Sequence, residues 1–342
     1  MRDIIAIGSV TQDSFFDASG LDLEKFSGTP SGQAFRLPLG DKLEIDGAYA
    51  TIGGNSANAA VTFARQGLKT ACVGRIGRDV GGDLIVRRLK EEKVSTDAIS
   101  IDRKLGTASS VLLVKNGERT ILNYHGASND FGITDIDFTD LQAKWWYLSL
   151  SGRSEMAYDA FVEHAARQGI ALAFNPSGYQ LTHARMKILR SLKKISFLTV
   201  NEEEAAILTG IPFRREREVF KKLDDLTSPG ILAVTNGKGG VTVSDGRYVY
   251  RAGTFKEKKL VDRTGAGDAF GSAFVASLAR SGVLLKNLHR TTPAQIKEAI
   301  RIASANATSV VEHLGATEGT LKKSELNQPR FRNLKVKIEE LN

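Results

Sequence analysis

The chain has 342 residues, 42% of them hydrophobic and 25% charged, which is enough apolar content for one large core or two modest ones. Its single cysteine, Cys72, rules out an intramolecular disulfide and, with five histidines in all, leaves no basis for a zinc site. The net charge of +8 is interleaved with acids, as in Arg214-Arg215-Glu216-Arg217-Glu218, and no nucleic-acid motif accompanies it, so these stretches read as solvated faces that can attract nucleotides or sugar phosphates.

Taken in order, Ile4–Ile7 reads as a short buried strand and not as a signal peptide, because charge interrupts a run that is already too short. No segment is long enough to span a bilayer. The expected compartment is the cytoplasm, with no membrane or nucleic-acid partner. Ser56–Gln66 reads as a helix ended by Gly67, Thr70–Val73 as a strand and Gly82–Glu92 as a helix. Trp145–Leu150 reads as a strand, Glu155–Gln168 as a helix, Ile170–Phe174 and Phe197–Val200 as strands, Glu202–Leu208 as a helix and Ile231–Thr235 as a strand. Two long helical patterns follow, Ala269–Arg280 and Pro293–Glu312, the second opened by a proline suited to a first turn. Strands alternating with helices predict an α/β fold: a mainly parallel sheet covered on both faces.

Two stretches break the alternation. Residues from about Ser14 to Ala50 carry glycine, proline and alternating patterns, and residues from about Thr107 to Tyr124 read as a hairpin turning at Asn116-Gly117. Together they predict a small accessory sheet, placed in sequence to cover one site as a lid. Residues 1–320 are expected to form one domain with insertions at about 14–50 and 107–124. Beyond the domain lies a polar C-terminal tail, 321–342, and the polar, lysine-rich stretch from about Thr317 to Asn342 is expected to pack loosely at the surface.

Chemistry concentrates in glycine-rich turns. In Asp262-Arg263-Thr264-Gly265-Ala266-Gly267-Asp268-Ala269-Phe270, paired glycines follow a strand-like segment and open a long apolar helix. Glycines and the unpaired amides of a first helical turn can hold the charge of a transferring phosphoryl group. Asp268 there can take the proton of an attacking hydroxyl; the plainer alternative is an N-terminal cap after a glycine turn. Gly53-Gly54-Asn55-Ser56-Ala57-Asn58 opens a helix too, and suits either a polar ligand or a cap. Gly74-Arg75-Ile76-Gly77-Arg78-Asp79 matches a dinucleotide fingerprint only loosely. Asn201-Glu202-Glu203-Glu204 at the end of a strand can organise hydrated Mg²⁺ and phosphate, or make a plain capping box. Thr235-Asn236-Gly237-Lys238-Gly239-Gly240 suits a nucleotide or a simple hairpin. There is no P-loop sequence and no nucleophile elbow.

In order and spacing this set resembles the ribokinase-like family of carbohydrate kinases, also called the PfkB family, over Ile4 to about Thr317. The resemblance implies a three-layer α/β/α fold with a small β-sheet lid, ATP as phosphoryl donor, Mg²⁺, and a small-molecule acceptor. It implies Asp268 as general base and the amides of Gly265, Ala266 and Gly267 as the anion hole. Asp13, Gly54, Asn55 and Asn58 would form the acceptor pocket. Asn201, Thr235, Gly237 and Gly240 would line the nucleotide, with Ser304 or Asn306 near the adenine and spacing from Gly315-Ala316 favouring Ser304. Glu204 would act on Mg²⁺ through water. Some members bind a monovalent cation such as K⁺ beside the anion hole; Asp262, Thr264 and Gly315 match parts of that loop, and Arg263 departs from its usual small residue. A homodimer through the lid is also expected.

Gly126-Ala127-Ser128-Asn129 resembles an element of ribokinases and favours a ribose-like sugar as acceptor. The long insertion and Phe15-Phe16 resemble adenosine kinases and keep a nucleoside as the alternative, unless those rings are lid core. A catalytically silent sugar- or nucleotide-binding protein on the same fold is the remaining reading, and intact Asp268 and Glu204 argue against it.

Overall fold

The structure is a computed structural model that describes residues 1–28, 31–116 and 118–341. The chain runs β1 (Arg2–Gly8), β2 (Thr11–Asp17), β3 (Leu23–Lys25), β4 (Gln33–Phe35), β5 (Gly47–Gly53), α1 (Asn55–Arg65), β6 (Thr70–Gly77), α2 (Val80–Glu91), β7 (Ile99–Asp102), β8 (Ser109–Lys115) and β9 (Glu118–Tyr124). It continues β10 (Ala143–Ser149), α3 (Tyr158–Gln168), β11 (Ala171–Phe174), α4 (Gly178–His183), α5 (Arg185–Ser191), β12 (Phe197–Asn201), α6 (Glu202–Thr209), α7 (Glu216–Thr227) and β13 (Ile231–Thr235). Last come β14 (Val241–Ser244), β15 (Tyr248–Ala252), α8 (Ala266–Arg280), α9 (Pro293–Val310) and β16 (Val336–Glu340).

Among the described residues the main sheet has ten strands in the order β16-β15-β14-β13-β12-β11-β10-β1-β6-β7. It is parallel from β7 to β13 and antiparallel from β13 to β16. Its central strands are apolar on both faces. Ile4 and Ala6 of β1, with Trp145 and Tyr147 of β10, look into a core shared with α1, α8 and α9. The alternate residues Ile5, Ile7, Trp146 and Leu148 look into a second core with α3, α5 and α7. This period of two, buried both ways, is what continuous apolar runs encode in a doubly covered parallel sheet. Phe197 stacks on Phe274 of α8 at 4.6 Å, fixing that helix across the sheet.

The second, smaller sheet has the order β5-β2-β8-β9. Its hairpin β8–β9 is the predicted one; Asn116 adopts φ 55°, as a hairpin turn requires, and Gly117 lies outside the described residues. On this sheet Asp13, Phe15, Thr51, Tyr49, Ser110, Leu112 and Arg119 share one face, because register pairs Asp13 with Thr51 and Ser110, Phe15 with Tyr49 and Leu112, and Val114 with Arg119.

One expectation changes. The tail from about Thr317 onward does not pack loosely. Leu321, Leu326 and Phe331 are buried, Arg301 bonds the carbonyls of Leu326 and Phe331 at 2.8 and 2.7 Å, and β16 pairs with β15. Residues 214–218 are exposed throughout, as expected of a solvated face, and lead into α7, whose Val219 and Leu223 are buried.

Candidate active site

Five polar groups meet where the parallel strands end. Ser9 follows β1, Ser149 ends β10, Asn175 follows β11, Asn201 ends β12 and Thr235 ends β13. Carboxyl ends of parallel strands are where α/β sheets bind ligands. Here two helix N-termini, those of α1 and α8, are aimed at the same end.

Asp268 is the centre. It lies in the first turn of α8 and is 8% exposed. Asn58 Nδ2 donates to its Oδ2 at 2.9 Å, and Asn175 Nδ2 donates to its Oδ1 at 3.3 Å. Each carboxylate oxygen is thus held by one amide, which fixes the group without protonating it. Burial pushes its pKa up to about 6, against the pull of the Asn58 bond. A buried carboxylate with this affinity for protons is poised as a general base near neutral pH.

The helix entry beside it is shaped for an anion. Gly265 caps α8 at φ 75°, and a Cβ there would lie 2.4 Å from Ala316 Cβ, so only glycine fits. At Gly267 a Cβ would meet no atom within 4 Å, so that glycine leaves room that the protein itself does not fill. The Ala266 amide reaches Arg263 O at 3.4 Å, and the first-turn amides after it have no partner within the helix.

One wall of the site is built from α1 and the small sheet. Gly54 caps α1 at φ 88°, with a would-be Cβ 2.6 Å from Ser9 O, which brings this turn against the end of β1. The Asn55 backbone amide donates to Ser9 Oγ at 3.1 Å and its side-chain Nδ2 to Ser149 Oγ at 2.8 Å; Ser149 in turn donates to Asn175 O at 2.8 Å. Asp13 is 5% exposed and accepts from Thr11 Oγ1 at 2.9 Å and from Ser110. A Cβ on Gly53 would sit 1.9 Å from Asp13 Oδ2, so Gly53 makes the space that this carboxylate occupies. Burial raises the Asp13 pKa.

On the opposite side Asn201 and Glu204 form a reciprocal capping box, with Asn201 N to Glu204 Oε2 at 2.9 Å and Glu204 N to Asn201 Oδ1 at 2.8 Å. Burial raises the Glu204 pKa, and the Asp268 charge adds to it, which places the two carboxylates in one field. A carboxylate pushed toward protonation beside another suits a hard cation that keeps its waters. Thr235 pairs with Asn201 across β13 and β12. Gly237 and Gly240 turn at φ 43° and 95°, and at Gly240 a Cβ would strike Ala252 O at 2.0 Å. Ser304 is nearly buried on α9.

Several expected residues sit elsewhere or are already used. Asn306 is fully buried; it donates to Ala269 O at 2.9 Å and accepts from Leu321 N at 2.8 Å, so its amide ties α9 to α8 and to the tail. Phe15 and Phe16 lie on opposite faces of β2, and only Phe15, 2% exposed, shares the face of Asp13. Asp79, in the loose dinucleotide-like turn, caps α2 by accepting from Gly82 N at 2.9 Å and holds Thr107 N and Oγ1. Asp262, Thr264 and Gly315 do converge, but on one another: Asp262 Oδ1 accepts from Thr264 N and Oγ1 at 2.9 and 2.7 Å, and Oδ2 from Gly315 N at 3.3 Å.

The sequence reading missed Asn175, Tyr147 and Arg119. Asn175 Nδ2 reaches the buried Tyr147 hydroxyl at 3.4 Å as well as Asp268, and burial, with the Asp268 charge, raises the Tyr147 pKa. The signal for Asn175 was its place: a polar residue directly after a buried parallel strand. Arg119 carried none, because a lone arginine in a hairpin resembles any solvated charge.

The description "pfkB family carbohydrate kinase" matches residues 40–323 of this chain. Among curated relatives, a probable fructokinase-5 from Arabidopsis thaliana is 28% identical over 286 residues, 80% of this chain and 86% of that protein. A ribokinase from Bacillus subtilis is 26% identical over 336 residues, 96% and 99% of the two chains. Among solved structures, Arabidopsis thaliana ribokinase complexed with ribose and ATP has a TM-score of 0.76 at 21% identity, covering 97% of this chain and 99% of that one.

Proposed function

Because the chain belongs to the pfkB family of carbohydrate kinases, we propose that it transfers the γ-phosphoryl group of ATP to a hydroxyl of a small, ribose-like sugar, with Asp268 as general base. The observation that carries this reading is a buried carboxylate, clamped by Asn58 and Asn175, in the first turn of a helix whose entry leaves room for an anion. The relatives' names supply the substrate class, and they include fructose as well as ribose kinases.

The mechanism follows from these positions. Asp13 accepts hydrogen bonds from acceptor hydroxyls, while Gly54, Asn55 and Asn58 line the other side of the sugar. Asp268 takes the proton as the acceptor oxygen attacks phosphorus. The new O–P bond forms as the bond from the γ-phosphorus to the bridging oxygen breaks, and ADP leaves with that electron pair. Amides of Gly265, Ala266 and Gly267, at the positive end of α8, hold the equatorial oxygens as charge develops. Asn201, Thr235, Gly237, Gly240 and Ser304 hold the nucleotide. Glu204 would hold hydrated Mg²⁺, which would supply charge neutralisation at the phosphates. The small sheet closes over the sugar and excludes water, which limits hydrolysis of ATP.

No described helix is long and apolar enough to cross a membrane. Use of ATP is consistent with a cytoplasmic role. The outward face of the lid carries Phe16, Val111, Leu113 and Leu122, with Leu122 56% exposed, and we assign it to a homodimer. Coupled ADP release over pentoses, hexoses, sugar phosphates and nucleosides tests the reading. Turnover should be greatest with a free sugar; a clear preference for a nucleoside, or no turnover at all, overturns it.

A further inference from the structure

The anion-hole loop carries a carboxylate that needs a cation. Asp262 is 4% exposed, and its oxygens accept three neutral donors, from Thr264 and Gly315. A charge so buried is costly without an opposite charge beside it. The resemblance to cation-activated relatives would place K⁺ there. The residues do not fit that role: the side-chain oxygen of Thr264 is turned onto Asp262 as a donor, and the amides of Thr264 and Gly315 also point hydrogens at the carboxylate. These contacts leave the carboxylate little free capacity to ligate an ion.

A cation is nevertheless present. Arg119 NH1 lies 3.6 Å from Asp262 Oδ1, and Arg119 Nε is buried without a hydrogen-bond partner. Arg119 belongs to β9, on the face of the small sheet that also carries Asp13. Its arrival at Asp262 therefore depends on where the lid stands.

We propose that Arg119, delivered by the lid, is the resident cation of the anion-hole loop, and that this chain works without a monovalent metal ion there. Arg119 is a positioning residue: it neutralises Asp262, which holds Thr264 and Gly315, and so fixes the turn at Gly265. Acceptor binding at Asp13 and completion of the anion hole become one event, because one sheet supplies both charges. The idea rests on the kinase reading for its functional consequence, but not for its thermal test.

Melting temperature of the substrate-free protein is measured in KCl and in tetramethylammonium chloride at equal ionic strength, together with kcat and both KM values. Wild type should melt and turn over alike in the two salts. Arg119→Gln should melt about 2–4 °C lower in both salts and lose kcat while keeping its KM for ATP. Arg119→Lys should restore wild-type behaviour. A saturable rise of wild-type melting temperature with K⁺, or an Arg119→Gln protein indistinguishable from wild type, overturns the proposal. Should Arg119→Gln fail to fold alone, it is combined with Asp262→Asn. With the carboxylate charge removed, losing Arg119 should cost nothing further, and an additive loss overturns the proposal equally. The melting arms read the ion pair even if no substrate is ever turned over.

Discussion

Asn58 and Asp268 are 210 positions apart, yet Asn58 Nδ2 donates to Asp268 Oδ2 across 2.9 Å and joins the first turns of α1 and α8. The contact links α1 to α8, and it opposes the effect of burial on the Asp268 pKa. Replacing Asn58 with Ala removes a donor that favours the charged carboxylate. The acid limb of kcat/KM, expected near pH 6 in wild type, should then move to higher pH. An unmoved limb would assign that titration to another group.

Asp268→Asn removes the proposed base but keeps the shape. kcat should fall about 10²–10⁴-fold with the KM for ATP nearly unchanged. A variant retaining half of wild-type kcat would exclude Asp268 as the base.

The same substitution should stabilise the protein. With its pKa pushed up to about 6, Asp268 binds its proton more tightly in the folded chain than in the unfolded one. Stability from that proton is therefore fully present below the ordinary aspartate range and is lost as pH rises through about 6. Asparagine mimics the neutral form. Melting temperature of Asp268→Asn should exceed wild type by a few degrees at about pH 7–8, and the gap should close toward about pH 4. A gap that stays constant with pH would remove the carboxylate's ionisation as its cause.

Much of this was legible in the sequence because it is local. The glycine turn before Ala269, the capping pair Asn201 and Glu204, and the alternation of apolar runs each declare themselves within a few residues. What was hidden depends on tertiary distance. Asn306 could be read as facing adenine until Leu321 N and Ala269 O were seen to occupy its amide. The tail reads as solvated because β16 is an edge strand with one polar face; Val336 and Ile338 pack on the core while Lys337 and Glu339 pair with Arg251 and its neighbours across β15. Arg119 is silent in sequence because its partner is 143 positions away in number, 262 less 119.

Glu204 serves the helix and, in the proposed mechanism, Mg²⁺. Glu204→Gln keeps an oxygen for the Asn201 amide, so α6 should keep its cap while the charge is lost. The Mg²⁺ concentration giving half-maximal rate should rise, with melting temperature little changed. If the Mg²⁺ dependence is unaltered, the capping box is the whole role of Glu204.

The lid separates acceptor classes. Asp13→Ala should raise the acceptor KM far more than the ATP KM, since a carboxylate that accepts from adjacent hydroxyls makes charge-assisted bonds. Phe15 lies on the same face, with its ring 3.6 Å from where a Cβ of Gly315 would stand, while Phe16 faces outward. The two phenylalanines can therefore be separated by mutation. Phe16→Leu should leave both KM values unchanged and weaken self-association at low concentration, read by light scattering. Phe15→Leu keeps an apolar contact and removes a ring face. For a sugar acceptor, Phe15→Leu should shift sugar and nucleoside KM values by a similar factor, because the ring acts through packing of the lid. A selective rise for the nucleoside would mean that the ring stacks on a base, and the sugar-kinase reading would give way to the nucleoside one.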